Sequence, residues 1–532
     1  MLQKKTVTTM AMAKTSLTLI IATVCMFLEN VNGSKILLYP YAHVYNSRLL
    51  NMMKIGQMMF ARNHSVTMLV AGNVGPVLDK VPKEIHVKKI NLTIPPFNLS
   101  GEMLIHKVRT NAFYFVPQWL DYAKEMMDAL FGDKTLLGEL RSEKYDLMFL
   151  DIIAPEGLLL MDYLNIPSVG YSNFGLDNNW DVSPPNNPSY MPNALSAFSE
   201  QMTFWERLVN TVSITAMNLM KKWTMTPCYE AKVKYNLNTS LSIESAYTRL
   251  SLLIVNSDFV FDYPRPVFPW VKPVSGVLFH PPKPLPKELD QFVESSGDAG
   301  FVILSFGTLI PELTAETAAM VARVFARLPQ KVIWRNTITN ISGLGHNTKV
   351  LPWIPQNDLL GHPKARLFIT HCGVSSSHEV LYHGVPVVAV PLFVDQFGHA
   401  RKLVERLGMG EELDFFNFTE SAFSGTVLNV LNNPKYFKNA KRAAATVRDQ
   451  PMDGKEALMF WVEYAIRNNG SLHFHSQGME RLSWYQYLLL DVVGVLFSTV
   501  VTVVALIYFS CKAIYRYISK IWPLSKRKNK TE

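Results

Sequence analysis

Two sets of polar residues in this sequence have types and positions suited to chemistry. In the first set, Tyr41-Ala42-His43 directly follows one apolar stretch and Asp151 ends another. An imidazole held by a neighbouring carboxylate can act as a general base that removes the proton of a hydroxyl group. Either residue alone is more simply a hydrogen-bonded loop residue, but their matching positions favour a catalytic pair.

The second set lies in the C-terminal half of the chain. Residues 305–308 (Ser-Phe-Gly-Thr) follow an apolar stretch, and residues 371–376 (His-Cys-Gly-Val-Ser-Ser) follow another and open a helical pattern. Small residues and backbone N–H groups at a helix N-terminus form a binding site for an anion such as a diphosphate. Glu379, further along that helix, can accept hydrogen bonds from a ribose diol, while Trp353 offers an aromatic plane for a base and Gln356 a polar neighbour.

Short β-branched stretches alternate with longer helical patterns in both halves, which is typical of an α/β fold with parallel sheets covered by helices. In the first half, strands are predicted at 35–39, 66–70, near 85–90 and at 145–150, with helices at about 46–61 and 117–131. In the second half, strands are predicted at 301–306, 331–334, 349–351, 366–370 and 386–390, with helices at about 314–328 and 375–383 and others to about 469.

These elements explain why the polar residues should converge. In a doubly wound sheet, ligands bind beyond the carboxyl ends of the first and fourth strands, where the strand order reverses. Residues 264–286 contain eight prolines, a density that prevents a helix or a central strand, and are predicted to be a linker. The sequence therefore predicts two Rossmann-type domains, at 34–263 and 287–485, that face each other across a cleft.

Segments at the two ends of the chain indicate its compartment. A basic start, an apolar run and small residues predict a signal peptide over 1–33. Residues 492–511 carry no charge over 20 positions, which predicts a transmembrane helix within 488–511. The basic tail 512–532 then lies in the cytosol and the body in the lumen. The tail ends in a K-x-K-x-x pattern that resembles an endoplasmic reticulum retrieval signal, so a single-pass type I protein of that membrane is expected.

Composition excludes few classes beyond disordered and fibrous chains. The 532 residues are 48% hydrophobic and 18% charged, so the chain can bury large cores. Of the formal charge of +9, the tail carries +6 and the signal segment +2, so the body is nearly neutral and is not expected to bind nucleic acid. Only Cys228 and Cys372 lie in the body, which argues against a disulfide scaffold. Their redox state, the use of the seven Asn-x-Ser/Thr sequons within the body and a homo-oligomeric assembly stay open.

Two segments resemble the donor-sugar signature of the UDP-glycosyltransferase family, which includes animal UDP-glucuronosyltransferases and insect UDP-glucosyltransferases. They are LPWIPQNDLLGHP (351–363) and FITHCGVSSSHEVLYHGVPVVAVPLFVDQ (368–396). The resemblance implies a GT-B fold and an inverting, metal-independent transfer of a hexosyl group from a UDP-sugar. It also implies a small lipophilic acceptor with a hydroxyl group and no further cofactor.

The resemblance assigns roles to individual residues. It makes His43 the base, Asp151 its partner and Trp353 the platform for uracil. It implies Gln356 and Glu379 on the ribose, Asp395 and Gln396 on the sugar hydroxyls, and the following residues at the diphosphate: Thr308, His371, Gly373, Ser375 and Ser376. Ser305 and Arg335 are further candidates for the donor site. Cys372 stands where most animal members have Gly, and Ser375 where Asn is common, which leaves donor binding intact but can shift the sugar preference.

Other interpretations of these residues compete with the enzyme. A catalytically inactive, membrane-anchored binder of apolar small molecules is the main alternative, which the retained polar residues oppose. A metal site built from His371, His378 and His383, or from His473 and His475, lacks the ligand spacing and acidic partners of the usual sites. Gly408-Met409-Gly410 lacks the third glycine of a dinucleotide motif and is more simply a helix C-cap.

The substrates are only partly defined by the sequence. A glucuronate carboxylate needs a cation, for which Arg48, Arg265 and Arg335 are candidates. The segments NPSYMPN (187–193) and WYQYLLLD (484–491) resemble insect members, whose usual donor is UDP-glucose, and favour a glucosyltransferase. The helical pattern at 202–223 mixes apolar and cationic residues, and suits a lumenal membrane face, an acceptor entrance or a helix that covers the core.

Overall fold

The computed structural model describes residues 33–41, 46–72, 74–92, 102–110, 114–176, 187–193, 196–239 and 247–528. His43 and residues 1–32 of the predicted signal peptide lie outside these ranges. The described residues up to Phe474 form one compact unit, and those from His475 form a second, smaller unit.

The first sheet has seven parallel strands in the order β3-β2-β1-β4-β5-β6-β7. They are β1 (Lys35–Tyr39), β2 (Ser65–Ala71), β3 (His86–Ile90), β4 (Leu147–Asp151), β5 (Ser168–Ser172), β6 (Leu252–Val255) and β7 (Val271–Pro273). Every residue of β4 and β5 is buried, as expected for central parallel strands with helices on both faces. The strand order reverses between β1 and β4, so the loops that follow these strands open the predicted crevice.

The second sheet repeats this arrangement with six parallel strands in the order β10-β9-β8-β11-β12-β13. They are β8 (Phe301–Ser305), β9 (Lys331–Arg335), β10 (Thr348–Leu351), β11 (Ala365–Thr370), β12 (Val387–Ala389) and β13 (Gly410–Glu412). Ser305 and Thr370 are register partners at the carboxyl ends of β8 and β11. The two sheets confirm the predicted α/β class with two Rossmann-type halves.

Helices connect and cover the strands. In the first half they are α1 (Asn46–Ala61), α2 (Glu102–Thr110), α3 (Phe115–Gly132), α4 (Lys134–Ser142), α5 (Pro155–Leu164), α6 (Phe204–Thr224) and α7 (Thr226–Lys234). In the second half they are α8 (Lys287–Glu294), α9 (Ala315–Ala326), α10 (Gln356–Leu360), α11 (Val374–His383), α12 (Gln396–Arg401), α13 (Glu420–Asn432), α14 (Pro434–Arg448) and α15 (Gly454–Arg467). Three 3₁₀ segments occur at Gly75–Lys80, Phe415–Asn417 and Leu472–Phe474, and a π-helical turn at Lys402–Arg406.

The structure differs from the sequence-based division of the body in three places. Part of the proline-rich segment 264–286 forms β7, which is tolerated because β7 is an edge strand. Helix α15 follows the second sheet in sequence, yet Leu458 and Val462 are buried in the core of the first. Conversely, Leu104 of α2 is buried in the core of the second sheet. The chain therefore crosses between the halves more than once, and apolar packing holds them together.

The second unit consists of α16 (Gln477–Glu480), α17 (Trp484–Tyr487) and the long helix α18 (Leu490–Lys528). Residues Leu490–Lys520 of α18 are long and apolar enough to cross a membrane, and an 18-residue window within them has a mean hydropathy of 2.5 and is not buried within the protein. The predicted span at 488–511 falls largely on this stretch.

Candidate functional site

A cavity of about 670 Å³ opens at the carboxyl ends of the strands. Its walls contain all twelve residues predicted for the donor site: Ser305, Thr308, Arg335, Trp353, Gln356, His371, Gly373, Ser375, Ser376, Glu379, Asp395 and Gln396. They follow five different strands of the second sheet or lie on the helices that begin there. Residues of the first half, among them Arg48, Lys54 and Phe174, also line the cavity.

His371 sits between two glycines that leave room for its ring. A Cβ atom added at either Gly307 or Gly373 would lie 2.5 Å from the Nε2 atom of His371, which no real contact allows. Gly307 also has a φ of +74°, a conformation that side chains rarely adopt. Burial lowers the pKa of His371 to about 4, and the nearby Arg335 acts in the same direction. The imidazole is therefore neutral at pH 7 and can offer an N–H donor, but not a charge.

Helix α11 begins directly beside this ring. Gly373 is its N-cap residue in an extended conformation, and Ser375 and Ser376 lie in its first turn. The first backbone N–H groups of a helix have no partner within the helix, and they carry a partial positive charge. Gly384 ends the helix in a left-handed conformation. This arrangement suits an anionic group placed between His371 and the start of α11.

A hydrogen-bonded group on α10 and α11 forms a second part of the wall. The Nε2 atom of Gln356 donates to Oε2 of Glu379 at 2.6 Å and to Oγ of Ser376 at 3.0 Å. Burial raises the pKa of Glu379, whereas the hydrogen bond from Gln356 and the charge of Lys54 oppose that rise. The carboxyl group is thereby held in one orientation, which is what recognition of a diol requires.

Trp353 forms an exposed aromatic surface at the edge of the cavity, with 59% of its area accessible. Two cations approach its ring: Lys80 Nζ lies 5.6 Å and Arg335 Cζ 5.8 Å from the ring centroid. Lys80 comes from the first half of the chain and Arg335 from β9. A large exposed indole is costly unless a ligand covers it, so this position favours stacking of a planar group.

The loop before α12 carries Asp395 and Gln396 into the cavity. The Oε1 atom of Gln396 accepts hydrogen bonds from the backbone N–H groups of Leu392 at 2.8 Å and Phe393 at 3.2 Å. Val394 has a φ of +59°, which is strained for a β-branched residue. Such strain is held only where the surroundings fix the backbone, as in many ligand-binding loops.

Asp151 lies buried at the end of β4 and has a partner that the sequence analysis missed. Both of its carboxylate oxygens accept from Nη1 of Arg48, at 2.6 and 2.5 Å, and the backbone N–H of Ile153 donates to Oδ1 at 3.3 Å. The guanidinium carbon of Arg48 lies 4.0 Å from the ring centroid of Phe174. Arg48 was considered only as a cation for a sugar carboxylate, but its place in the first turn of α1 puts it beside both β1 and β4.

The other two arginine candidates are also engaged by the protein. Arg265 is buried and donates to the backbone oxygen of Leu176 at 2.7 Å. Arg335 donates to the backbone oxygen of Gly307. Each guanidinium among the three thus has a protein acceptor.

The histidines weighed above as an alternative metal site do not come together in the described part of the chain. There, the side chains of Asp290, Glu294 and His362 are the only three whose potential ligand atoms lie within 4.8 Å of one another. His378 is buried against Phe261 and Phe279 instead. His473 pairs with the hydroxyl of Tyr464 at 2.9 Å.

Cys372 is one of the departures from the family pattern, and the backbone of the loop accommodates it. Its φ is +61°, a left-handed conformation in which glycine is the unstrained residue. The thiol is buried, and the backbone N–H of Cys372 donates to Oγ1 of Thr370 at 3.2 Å. The backbone geometry needed for the turn into α11 is therefore kept with cysteine in place of glycine.

The sequence is similar to known proteins over most of its length. The family profile described as "UDP-glucoronosyl and UDP-glucosyl transferase" matches residues 34–524. UDP-glucuronosyltransferase 1-2 of Rattus norvegicus is 36% identical over 399 residues, 74% of this chain and 74% of that protein. UDP-glucuronosyltransferase 2B15 of Homo sapiens is 31% identical over 550 residues, 97% of this chain and 100% of that protein.

Solved structures resemble the fold. The structure of Phytolacca americana UGT2 complexed with UDP-2fluoro-glucose and pterostilbene matches with a TM-score of 0.56 and 14% identity, over 81% of this chain and 99% of that one. The glycotransferase of kitacinnamycin matches with a TM-score of 0.55 and 15% identity, over 82% of this chain and 99% of that one. The GT-B fold is thereby confirmed.

Proposed function

This chain belongs to the UDP-glycosyltransferase family, and on that premise we propose that it transfers a hexosyl group from UDP-glucose to a hydroxyl group of a small lipophilic acceptor. One observation carries the proposal: the twelve donor-site residues predicted from the sequence line a single cavity. Arg48, the ion-pair partner of the buried Asp151, lines that cavity from helix α1 of the first half.

In the proposed reaction, His43 removes the proton of the acceptor hydroxyl, and the resulting oxygen attacks the anomeric carbon. The bond between that carbon and the diphosphate oxygen breaks, so the sugar is transferred with inversion and UDP leaves. Asp151 stabilises the imidazolium that forms, and Arg48 fixes the position of Asp151. The negative charge that develops on UDP is met by the N-terminus of α11 and the N–H of neutral His371, without a metal ion.

The remaining contacts to the donor come from other residues that line the cavity. Trp353 stacks on uracil, and the side-chain oxygens of Gln356 and Glu379 accept hydrogen bonds from the ribose hydroxyls. Thr308, Ser375 and Ser376 donate to the diphosphate, while Asp395 and Gln396 bind the sugar hydroxyls. Ser305 is the last residue of the neighbouring strand β8, and its backbone supports His371 through a hydrogen bond.

The segments 187–193 and 484–491, which resemble insect members, support glucose as the donor sugar. Arg48 and Arg265 are engaged by Asp151 and Leu176, whereas Arg335 and Lys54 line the cavity as cations that a glucuronate carboxylate could meet. UDP-glucuronic acid is the second candidate, because the relatives named above are UDP-glucuronosyltransferases. The helix Leu490–Lys520 and the basic tail support anchoring in the endoplasmic reticulum membrane with the body in the lumen.

A donor comparison tests this proposal. Full-length protein in microsomes is incubated with radiolabelled UDP-glucose or UDP-glucuronic acid, a mixture of phenols and, in parallel samples, a metal chelator. We expect a glucoside in the first case, a rate at least about ten-fold lower in the second, and no effect of the chelator. A faster reaction with UDP-glucuronic acid would overturn the donor assignment. Binding of UDP without any conjugate would favour the inactive binder.

A further inference from the structure

Helix α6 (Phe204–Thr224) presents two different faces. Its inner face is pinned to residues 187–193: the Oδ1 atom of Asn210 accepts from the backbone N–H of Asn193 at 2.7 Å, and its Nδ2 atom donates to the backbone oxygens of Pro188 and Met191, both at 2.8 Å. Asn210 and Ile214 are buried on this face. The helix thus covers the body, as one of the sequence-based interpretations expected.

The outer face of α6 is apolar although it is exposed. Six exposed apolar residues on one side of the helix form this outer stripe: Trp205, Leu208, Val209, Val212, Leu219 and Trp223. Ala216 lies on the same side, between Val212 and Leu219. Trp205 is 70% exposed, Val212 61% and Leu219 65%. At 1.5 Å per residue the stripe is about 27 Å long. Contiguous apolar surface of this kind marks an interaction site.

Cations outnumber acids around the outer stripe. Glu206 is the only acid among the residues of α6, all of which are described, and its carboxylate accepts from the backbone N–H of Thr203 in a capping box. Lys221 and Lys222 lie in the last turn of α6, and Lys232 in the last turn of α7. Lys234, also in that turn, is paired with Asp128 at 2.8 Å, and Glu230 of α7 with Lys124. An apolar stripe that ends in tryptophans and is flanked by lysines is typical of helices that lie in the interface of an anionic bilayer.

The outer stripe is not part of the cavity wall. No residue of the outer stripe is among those that line the cavity, so it does not form an acceptor entrance there. The chain itself carries a helix that is able to cross a membrane, and this anchor keeps the body at a bilayer surface. We propose that the outer stripe of α6 lies in the headgroup–acyl boundary of a bilayer that contains anionic lipid, as a second membrane contact besides α18.

The test uses full-length protein in nanodiscs with a polarity-sensitive fluorophore on a single cysteine. Cys228 and Cys372 are buried, so Cys511→Ser removes the exposed thiol among the described residues. The probe is attached in Val212→Cys, on the outer stripe, or in the matched control Asn218→Cys, which is also exposed but on a polar side of α6. Unchanged thermal unfolding verifies that both variants fold.

We expect the emission of the probe at position 212 to shift to the blue. Lipids with a nitroxide near the top of the acyl chain should quench it at least about two-fold more than the probe at 218, because interfacial helices lie only about 5–10 Å deep. Adding phosphatidylserine should increase the difference, and high salt should reduce it. Equal quenching at both positions would overturn the proposal. A second result would also overturn the proposal: the probe at position 212 is shielded from water but not quenched by the lipids, and only in discs that hold two copies. A second copy of this chain would then cover the outer stripe.

Discussion

His371 depends on the glycines around it, and this dependence gives a sharp test of the donor site. Gly373→Ala places a methyl group against the imidazole, so the ring must move away from the N-terminus of α11. We expect the affinity for UDP, measured by calorimetry, to fall at least about ten-fold. Gly425→Ala is the matched control, because nothing lies within 4 Å of a Cβ atom there. Unchanged UDP affinity in Gly373→Ala would remove His371 from the diphosphate site.

The neutral state of His371 predicts a pH dependence of stability. Its pKa is about 4 in the folded protein and about 6.5 when unfolded, so between these values the unfolded chain binds the additional proton. Stability is therefore lost as the pH falls from 6.5 towards 4. We expect His371→Gln to show a smaller drop in Tm between pH 7 and pH 5 than the unmodified protein, whereas the exposed control His86→Gln keeps the full drop. Equal drops in all three proteins would contradict the buried, neutral imidazole.

Most residues of the donor site could be predicted because they lie in the two segments 351–363 and 368–396, which have a fixed spacing. The partner of Asp151 could not. Arg48 is 103 positions away in sequence, and only the pairing of β1 with β4 brings α1 to the carboxylate. The available signal was the position of Arg48 in the first turn of the helix that follows β1.

At the scale of elements, a buried ion pair connects the two halves around the cavity. Lys402 Nζ lies 2.5 Å from Oδ1 of Asp262, and both side chains are fully buried. Asp262 also accepts from the backbone N–H of Leu176, which follows the cavity residue Phe174, while Lys402 follows α12 and its cavity residue Gln396. The attraction of Lys402 lowers the pKa of Asp262 against the effect of burial.

Breaking this pair should therefore loosen both walls of the cavity. Lys402→Met leaves a buried carboxylate without its cation, which costs about 3–5 kcal/mol in such pairs. We expect a lower free energy of unfolding and a raised KM for the UDP-sugar. Lys88→Met removes an exposed pair with Glu139 and should cost less than about 1 kcal/mol. A loss in Lys402→Met no larger than in this control would show that the pair does not hold the halves together.

Strands with strong β-branched patterns were predicted within one or two residues, whereas several others were missed. β5 reads Ser-Val-Gly-Tyr-Ser, and its small polar residues hide a central, fully buried strand. Gly170 in this strand packs so closely that a Cβ atom would lie 2.6 Å from Ile152. β7 was hidden by the prolines around it, because local composition does not reveal that a strand lies at the edge of a sheet.

At the scale of the whole molecule, the two sheets have the same strand order around β1 and β4 and around β8 and β11. This repetition was predictable from the alternating pattern. The crossing of α2 and α15 between the cores was not, since their apolar faces fit either sheet equally well by pattern alone. The crossings join donor and acceptor halves into one unit, which a transfer between two bound substrates requires.

The central claim is that one cavity holds the UDP-sugar while His43 of the other half carries out the transfer. It is tested most directly by measuring UDP affinity and UDP-glucose turnover side by side in full-length protein and in His43→Ala, with His86→Ala as control. We expect His43→Ala to lose about 10²- to 10⁴-fold in kcat while its Kd for UDP changes less than about two-fold. Near-normal turnover in His43→Ala, or a loss of UDP binding equal to the loss of turnover, would contradict this division of labour between the two halves.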